Sequence, residues 1–350
     1  MSQVPSASTP SPVIACLESF LSPTLNILAS PSLPALQLLT PPTLSKLRNL
    51  GHPRIRDARA LGHTVQIISH IPFAATPQIC MKLNDALDAG IRMQNDRMVA
   101  LALLPSVPGE GSGAARELQR CVTKLKFVGG VVAAGRGIED GGFEEVWGVA
   151  QRLRVPVVLR EGWPSGDQIA EYTENLPDAV VAALVTHLHN AHVASPLLIL
   201  RLFLNGIFDR YPNLRLIIAH PGSLPSLLPR IDAVLDSISP AAKPKRSFLD
   251  VWQHNFYLTT ADILDLSSMR TLLEQIPMDR VLYASNYPLE ERGREVITEL
   301  KESGFLTDEE WERLAWRNAE QLFKLSSPVQ GPYGVNTKVA AQPGQHVMFA

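Results

Sequence analysis

Short apolar or β-branched runs alternate along this chain with longer stretches whose apolar residues recur every three to four positions. Eight runs read as strands: Val13–Leu17, Thr64–Ser69, Met98–Leu104, Phe127–Ala134, Val155–Arg160, Leu214–His220, Phe256–Thr260 and Val281–Asn286. Helical periodicity fills the gaps, over Gln78–Asn95, Ala114–Lys124, Phe143–Leu153, Pro196–Tyr211, Ser223–Ile238, Leu264–Gln275 and Asp308–Leu325. Strands that are apolar on both faces and alternate with helices predict an α/β fold with a parallel, helix-covered sheet. Eight such units suit a closed (β/α)8 TIM barrel. An open doubly wound sheet would want a glycine-rich phosphate loop after its first strand, where this chain has Leu17-Glu18-Ser19-Phe20. The stretch between Glu161 and Leu214 exceeds one crossover and predicts an inserted helix over the barrel mouth. The barrel is expected over residues 13–325, after a disordered segment 1–12 and before an irregular tail 326–350.

Composition narrows the partners. With 32 Lys+Arg against 34 Asp+Glu and a net charge of −2, the chain has no basic field for nucleic acid or an anionic membrane, so a small-molecule partner is expected. No apolar run approaches the roughly 18 residues of a membrane span. The three cysteines, Cys16, Cys80 and Cys121, lie far apart without CxxC spacing, which implies neither a disulfide framework nor a zinc ribbon. Together with an N-terminus lacking a secretory pattern, this predicts a cytoplasmic protein.

In a barrel of this kind chemistry gathers at the C-terminal ends of the strands. Those positions are Glu18 and Ser19, His70, Pro105, Arg136, Arg160 with Glu161, His220, Thr260 and Asn286. Trp163 follows closely and could wall a planar substrate, and Arg230 with Asp232 reads as a helix-side ion pair near the mouth. The cluster His187, His189 and His192 lacks an accompanying carboxylate or cysteine and reads as a polar face. Gly129-Gly130 reads as a tight packing contact in preference to a phosphate cradle.

From about Val13 to Leu325 the chain resembles the amidohydrolase-related family that contains aminocarboxymuconate-semialdehyde decarboxylases and hydroxybenzoate (resorcylate-type) decarboxylases. The resemblance rests on ordered short matches: Cys16-Leu17-Glu18-Ser19-Phe20, Asn95-Asp96-Arg97-Met98-Val99, Val155-Pro156-Val157-Val158-Leu159, Asn205-Gly206-Ile207-Phe208-Asp209-Arg210-Tyr211-Pro212 and Asp279-Arg280-Val281-Leu282-Tyr283-Ala284-Ser285. It implies a homodimer or homotetramer and a small aromatic or polyketide-like acid as substrate.

The family usually holds one divalent cation, through a Glu or His pair after the first strand, a His after the fifth, a His after the sixth and an Asp after the eighth. Carried over, these positions fall on Leu17, Arg160, His220 and Asn286, with Glu18 and Ser19 just beyond the first. Only His220 keeps a ligating side chain, and Arg160 would set a guanidinium where the cation belongs. The favoured expectation is therefore a lyase without cofactor or metal, with His220, His70, Arg160 and Asn286 as catalytic groups. Glu18, Ser19, Glu161, Trp163, Thr260 and Arg230 are expected to bind substrate. The competing readings are a zinc- or manganese-dependent decarboxylase or hydrolase using Glu18, His70 and His220, and a non-catalytic barrel with a binding role.

Overall fold

The computed structural model describes residues 11–25, 34–94, 96–135, 138, 141–222, 224–290 and 293–325. The expectations for residues 1–10, for Arg136 and for the tail 326–350 lie outside the described residues. The eight strands are β1 (Ile14–Phe20), β2 (Val65–His70), β3 (Met98–Leu103), β4 (Gly129–Ala134), β5 (Val157–Glu161), β6 (Leu216–Ile218), β7 (Phe256–Thr259) and β8 (Val281–Leu282). They pair in parallel in chain order. The ring closes where the Cys16 amide donates to the Tyr283 carbonyl and the Ser19 amide to the Tyr287 carbonyl, each at 2.8 Å. With helices around it, this is the predicted (β/α)8 barrel.

The period-two pattern of the strands explains why both faces had to be apolar. Ile14, Cys16, Val65, Ile67, Val99, Leu101, Leu103, Val131, Val158, Ile217 and Leu282 fill the barrel interior as one buried cluster. Their neighbours Ala15, Ile68, Met98, Ala100, Ala102, Val132, Val157, Leu159, Leu216, Ile218 and Val281 face outward into the helix layer.

β1 breaks this alternation. Its register against β2 advances from Ala15 opposite Gln66 to Glu18 opposite Ile68, so β1 carries one residue more than its partner. The extra residue is accommodated at Leu17, whose φ of 62° lies in the left-handed region that a bulky side chain rarely adopts. Cys16 and Leu17 consequently both pack on the inner cluster, and the residues beyond them change face. Ser19 then points into the barrel and Glu18 into its wall. The bulge also aims the Leu17 carbonyl at the side chain of Arg160, at 3.5 Å.

Gly129 and Gly130 do pack tightly: a Cβ on Gly129 would sit 2.6 Å from the Pro156 carbonyl oxygen, and one on Gly130 2.7 Å from a Leu104 methyl. Some predicted helices are interrupted, Ala114–Lys124 by a π turn over Cys121–Leu125. Pro196–Tyr211 divides into Pro196–Leu204 and Ile207–Arg210 at Gly206, whose φ is 68°. Asp308–Leu325 contains a π turn over Arg313–Arg317. The long insertion folds as three helices, Gly166–Thr173, Asp178–His187 and His189–Val193. They share a small core of Tyr172, Val181 and Val185 with Ala35, which follows β1. Among the described residues, no helix is long and apolar enough to cross a membrane.

Candidate active site

Arg160 closes the inner-facing series of β5, and although it is a cation it is only 2% exposed. Its Nη2 donates to Ser19 Oγ at 2.7 Å, and its Nη1 to Ser69 Oγ at 3.4 Å as well as to the Leu17 carbonyl. Burial lowers its pKa to about 10, opposed by the charges of Glu18 and Glu161, so the group remains cationic at neutral pH. The bonds that hold it are to hydroxyl and carbonyl oxygens. Arg160 is thus an oriented cation inside the barrel, not a rim ion pair. Ser19, expected to touch substrate, is one of the groups that orient it.

His220 lies two residues beyond β6 and is equally buried. Its Nδ1 is 2.9 Å from Asp262 Oδ1, and its Nε2 is 3.2 Å from the Asn190 side-chain amide. Because the carboxylate can only accept, the ring proton belongs on Nδ1, and Nε2 accepts from Asn190. The second Asp262 oxygen accepts from the Gly222 amide at 3.1 Å, which locks the carboxylate behind the ring. Asp262 and Asn190 are the two residues the sequence reading passed over. Asp262 was within reach of it as the carboxylate that follows β7. Asn190 was not, because its position depends on how the insertion folds back over the mouth.

Glu161, at the end of β5, lines the same small cavity as His220, together with Leu159, Ile218, Leu198 and Ile199. Its Oε2 is buried without a hydrogen-bond partner among the described residues. Burial raises its pKa to about 7; His220 and Arg160 pull against that rise and Asp262 adds to it. Glu161 is therefore partly protonated at neutral pH.

Several expected site residues are engaged elsewhere. The Ser22 amide donates to His70 Nε2 at 3.1 Å, and His70 Nδ1 donates to the Ile71 carbonyl at 2.8 Å. Burial lowers the His70 pKa to about 4. Both ring nitrogens are consumed by backbone and the ring is neutral, which corrects its assignment as an acid or base. Glu18 accepts from the Ser285 amide at 3.0 Å, the Ser285 hydroxyl at 2.8 Å and the Tyr287 amide at 2.7 Å. That carboxylate pins the loop after β8 to the β1 bulge, and it is not turned to substrate. Burial still outweighs these donors and lifts its pKa to about 7.

Thr260 exchanges hydrogen bonds with the amide and carbonyl of Ala284, joining the ends of β7 and β8. Arg230 and Asp232 are both exposed, and their i,i+2 spacing turns them to different sides of the helix Leu228–Asp236, so the expected ion pair does not form. Asn286 sits half-buried at φ 58°, a conformation Asn tolerates, in the loop that Glu18 holds. Trp163 packs against both the barrel interior and the insertion core. The histidine cluster is a polar brace: His189 and His192 both bond the Tyr172 hydroxyl, at 3.1 and 2.7 Å.

The amidohydrolase family model matches residues 53–325, and the chain belongs to that family. Its relatives make it a decarboxylase-like member of the superfamily. It is 33% identical over 272 residues to decarboxylase orsB of Emericella nidulans, covering 75% of this chain and 82% of the relative. It is 29% identical over 266 residues to a gamma-resorcylate decarboxylase of Rhodococcus jostii, covering 71% of this chain and 77% of the relative. The fold matches a dihydroxybenzoic acid decarboxylase of Polaromonas sp. JS666 with a TM-score of 0.73 and 24% identity, over 90% of this chain and 97% of that one.

The Polaromonas enzyme was solved with bound manganese and the inhibitor 2-nitroresorcinol, which overturns the expectation that no cofactor is involved. The donors present in this chain do not fit such an ion. Among the described residues, no three His, Cys, Asp or Glu side chains come together as a metal-holding group. Leu17 offers no carboxylate, both oxygens of Glu18 are taken, and the Arg160 guanidinium stands among the inner groups.

Proposed function

We propose that this chain decarboxylates a small aromatic acid bearing a hydroxyl beside its carboxyl group. The observation that carries the reading is the buried, oriented guanidinium of Arg160, on the strand next to the His220–Asp262 pair, in a chain whose curated relatives are decarboxylases. Removal of CO2 from such a ring requires a proton on the carbon that carries the carboxylate and a fixed orientation of that carbon toward the donor.

Arg160 serves orientation. A planar guanidinium matches the two oxygens of a carboxylate, or one of them together with the adjacent hydroxyl oxygen. His220 serves the proton. Asp262 fixes the ring through Nδ1, which leaves Nε2 to carry the proton to the ring carbon. As the carbon–carbon bond breaks, its electron pair returns to the ring, CO2 departs and aromaticity is restored. Electron donation from the ring hydroxyl stabilises the protonated ring in between, and solvent returns one proton to His220 for each CO2 released. The apolar interior of the barrel favours this step, since a charged carboxylate becomes a neutral gas.

The test is CO2 release from a panel of hydroxybenzoates that includes gamma-resorcylate (2,6-dihydroxybenzoate), with and without added manganese. Acids with a hydroxyl beside the carboxyl are expected to react and benzoate is not. Hydrolysis of an ester or amide in place of CO2 release would replace this reading with that of a hydrolase.

A further inference from the structure

The insertion does more than cover the barrel. The helix His189–Val193 rests on the β6 loop at Gly222, where an added Cβ would meet the Ala191 carbonyl oxygen at 3.3 Å and the Ala194 methyl at 3.4 Å. In the loop after β8, Glu290 Oε2 lies 3.6 Å from His187 Nδ1. Between these contacts Asn190 reaches His220, and it reaches the nitrogen that matters. Nδ1 is committed to Asp262, so proton exchange with a substrate can use only Nε2, and the Asn190 amide donates to Nε2.

On the helix-layer side of these groups the space is small. The cavity lined by Glu161 and His220 measures about 20 Å³, enough for one water, whereas a cavity that admits benzene is about 150 Å³. With the Asn190 amide on Nε2, no substrate atom can take that nitrogen until the helix carrying Asn190 moves. The insertion's apolar core is small, Tyr172, Val181 and Val185 with Ala35, and Leu176, Val180 and Leu188 are exposed, while His189 and His192 tie the helix His189–Val193 to Tyr172 within the insertion itself.

We propose that Asn190 is a removable cap on His220: it holds Nε2 in the closed state, and substrate entry lifts the helix His189–Val193 and frees that nitrogen for the reaction. This rests on the reading of His220 as the proton carrier. Asn190 acts through His220 and is a positioning residue.

The probe is diethyl pyrocarbonate, which acylates an accessible unprotonated imidazole nitrogen, read by peptide mass spectrometry on the full-length protein. Asn190→Ala is expected to accelerate modification at His220 about fivefold, the fold-change that corresponds to one hydrogen bond's net worth. The rate at exposed His52 should stay unchanged and serves as the folding control. In the decarboxylation assay the same variant should lower KM and leave kcat at or above the wild-type value. Asn190→Ser provides a second variant should the alanine form fail to fold. An unchanged His220 rate in a folded variant, or a lower kcat at constant KM, would overturn the cap. The chemical-modification arm needs no substrate: if no acid is decarboxylated, it still reports on the cap, and if the cap fails while CO2 is released, the proposed function stands alone.

Discussion

Arg160→Met is expected to lower kcat/KM for decarboxylation by roughly 10³-fold, about 4 kcal/mol of transition-state stabilisation. The variant removes the oriented cation of the inner barrel and leaves a side chain of similar length. Its melting temperature should move by only a few degrees, because the cost of burying a guanidinium offsets much of what its hydrogen bonds return. Arg160→Lys separates charge from geometry. An ammonium keeps the cation but cannot span Ser19, Ser69 and the Leu17 carbonyl while also presenting a flat edge to substrate, so activity between the two extremes is expected. Steady-state kinetics on folded variants checks both. Wild-type kcat/KM in Arg160→Met would remove Arg160 from the site.

The second large effect concerns Asp262. In Asp262→Asn a neutral amide replaces the carboxylate that accepts from Nδ1, so the ring loses the partner that fixes it with Nε2 free to deliver a proton. The expected loss in kcat is roughly 10²–10³-fold, with KM little changed. His220→Asn should lose at least as much, and the double variant should lose no more than His220→Asn alone, since the two residues act as one unit. If Asp262 were only a brace for the Gly222 turn, Asp262→Asn would lower the melting temperature and leave kcat untouched.

These expectations show what was legible in the residues. The barrel was legible because buried strands must satisfy two cores at once, and runs such as Met98–Leu103 leave no polar face for an exposed sheet. Arg160 and His220 were legible through the family pattern laid over strand ends. The bulge at Leu17 was not, because a positive φ at a leucine leaves no local signature, and it decides that Ser19 faces inward while Glu18 staples the wall. His70 was misjudged for a related reason: a histidine at a strand end looks available until the backbone groups of Ser22 and Ile71 are seen to take both nitrogens. Asp262 and Asn190 complete the His220 environment from β7 and from the insertion, an arrangement created only when distant segments meet.

The expectation of a chain without a cofactor failed differently. It inferred loss of the metal from loss of ligand residues, and the manganese in a structure of the same fold shows that this inference was too quick. The donor set of this chain still differs from that of a three-ligand site, so assays belong in manganese-supplemented and chelated buffer alike.

The most direct test of the central claim is turnover of 2,6-dihydroxybenzoate in D2O, followed by NMR. The account predicts resorcinol carrying one deuterium at the carbon that lost its carboxyl group for each CO2 released, with both signals suppressed together in Arg160→Met and in His220→Asn. Decarboxylation that persists undiminished in both variants, or no CO2 from any hydroxybenzoate with or without manganese, would contradict it.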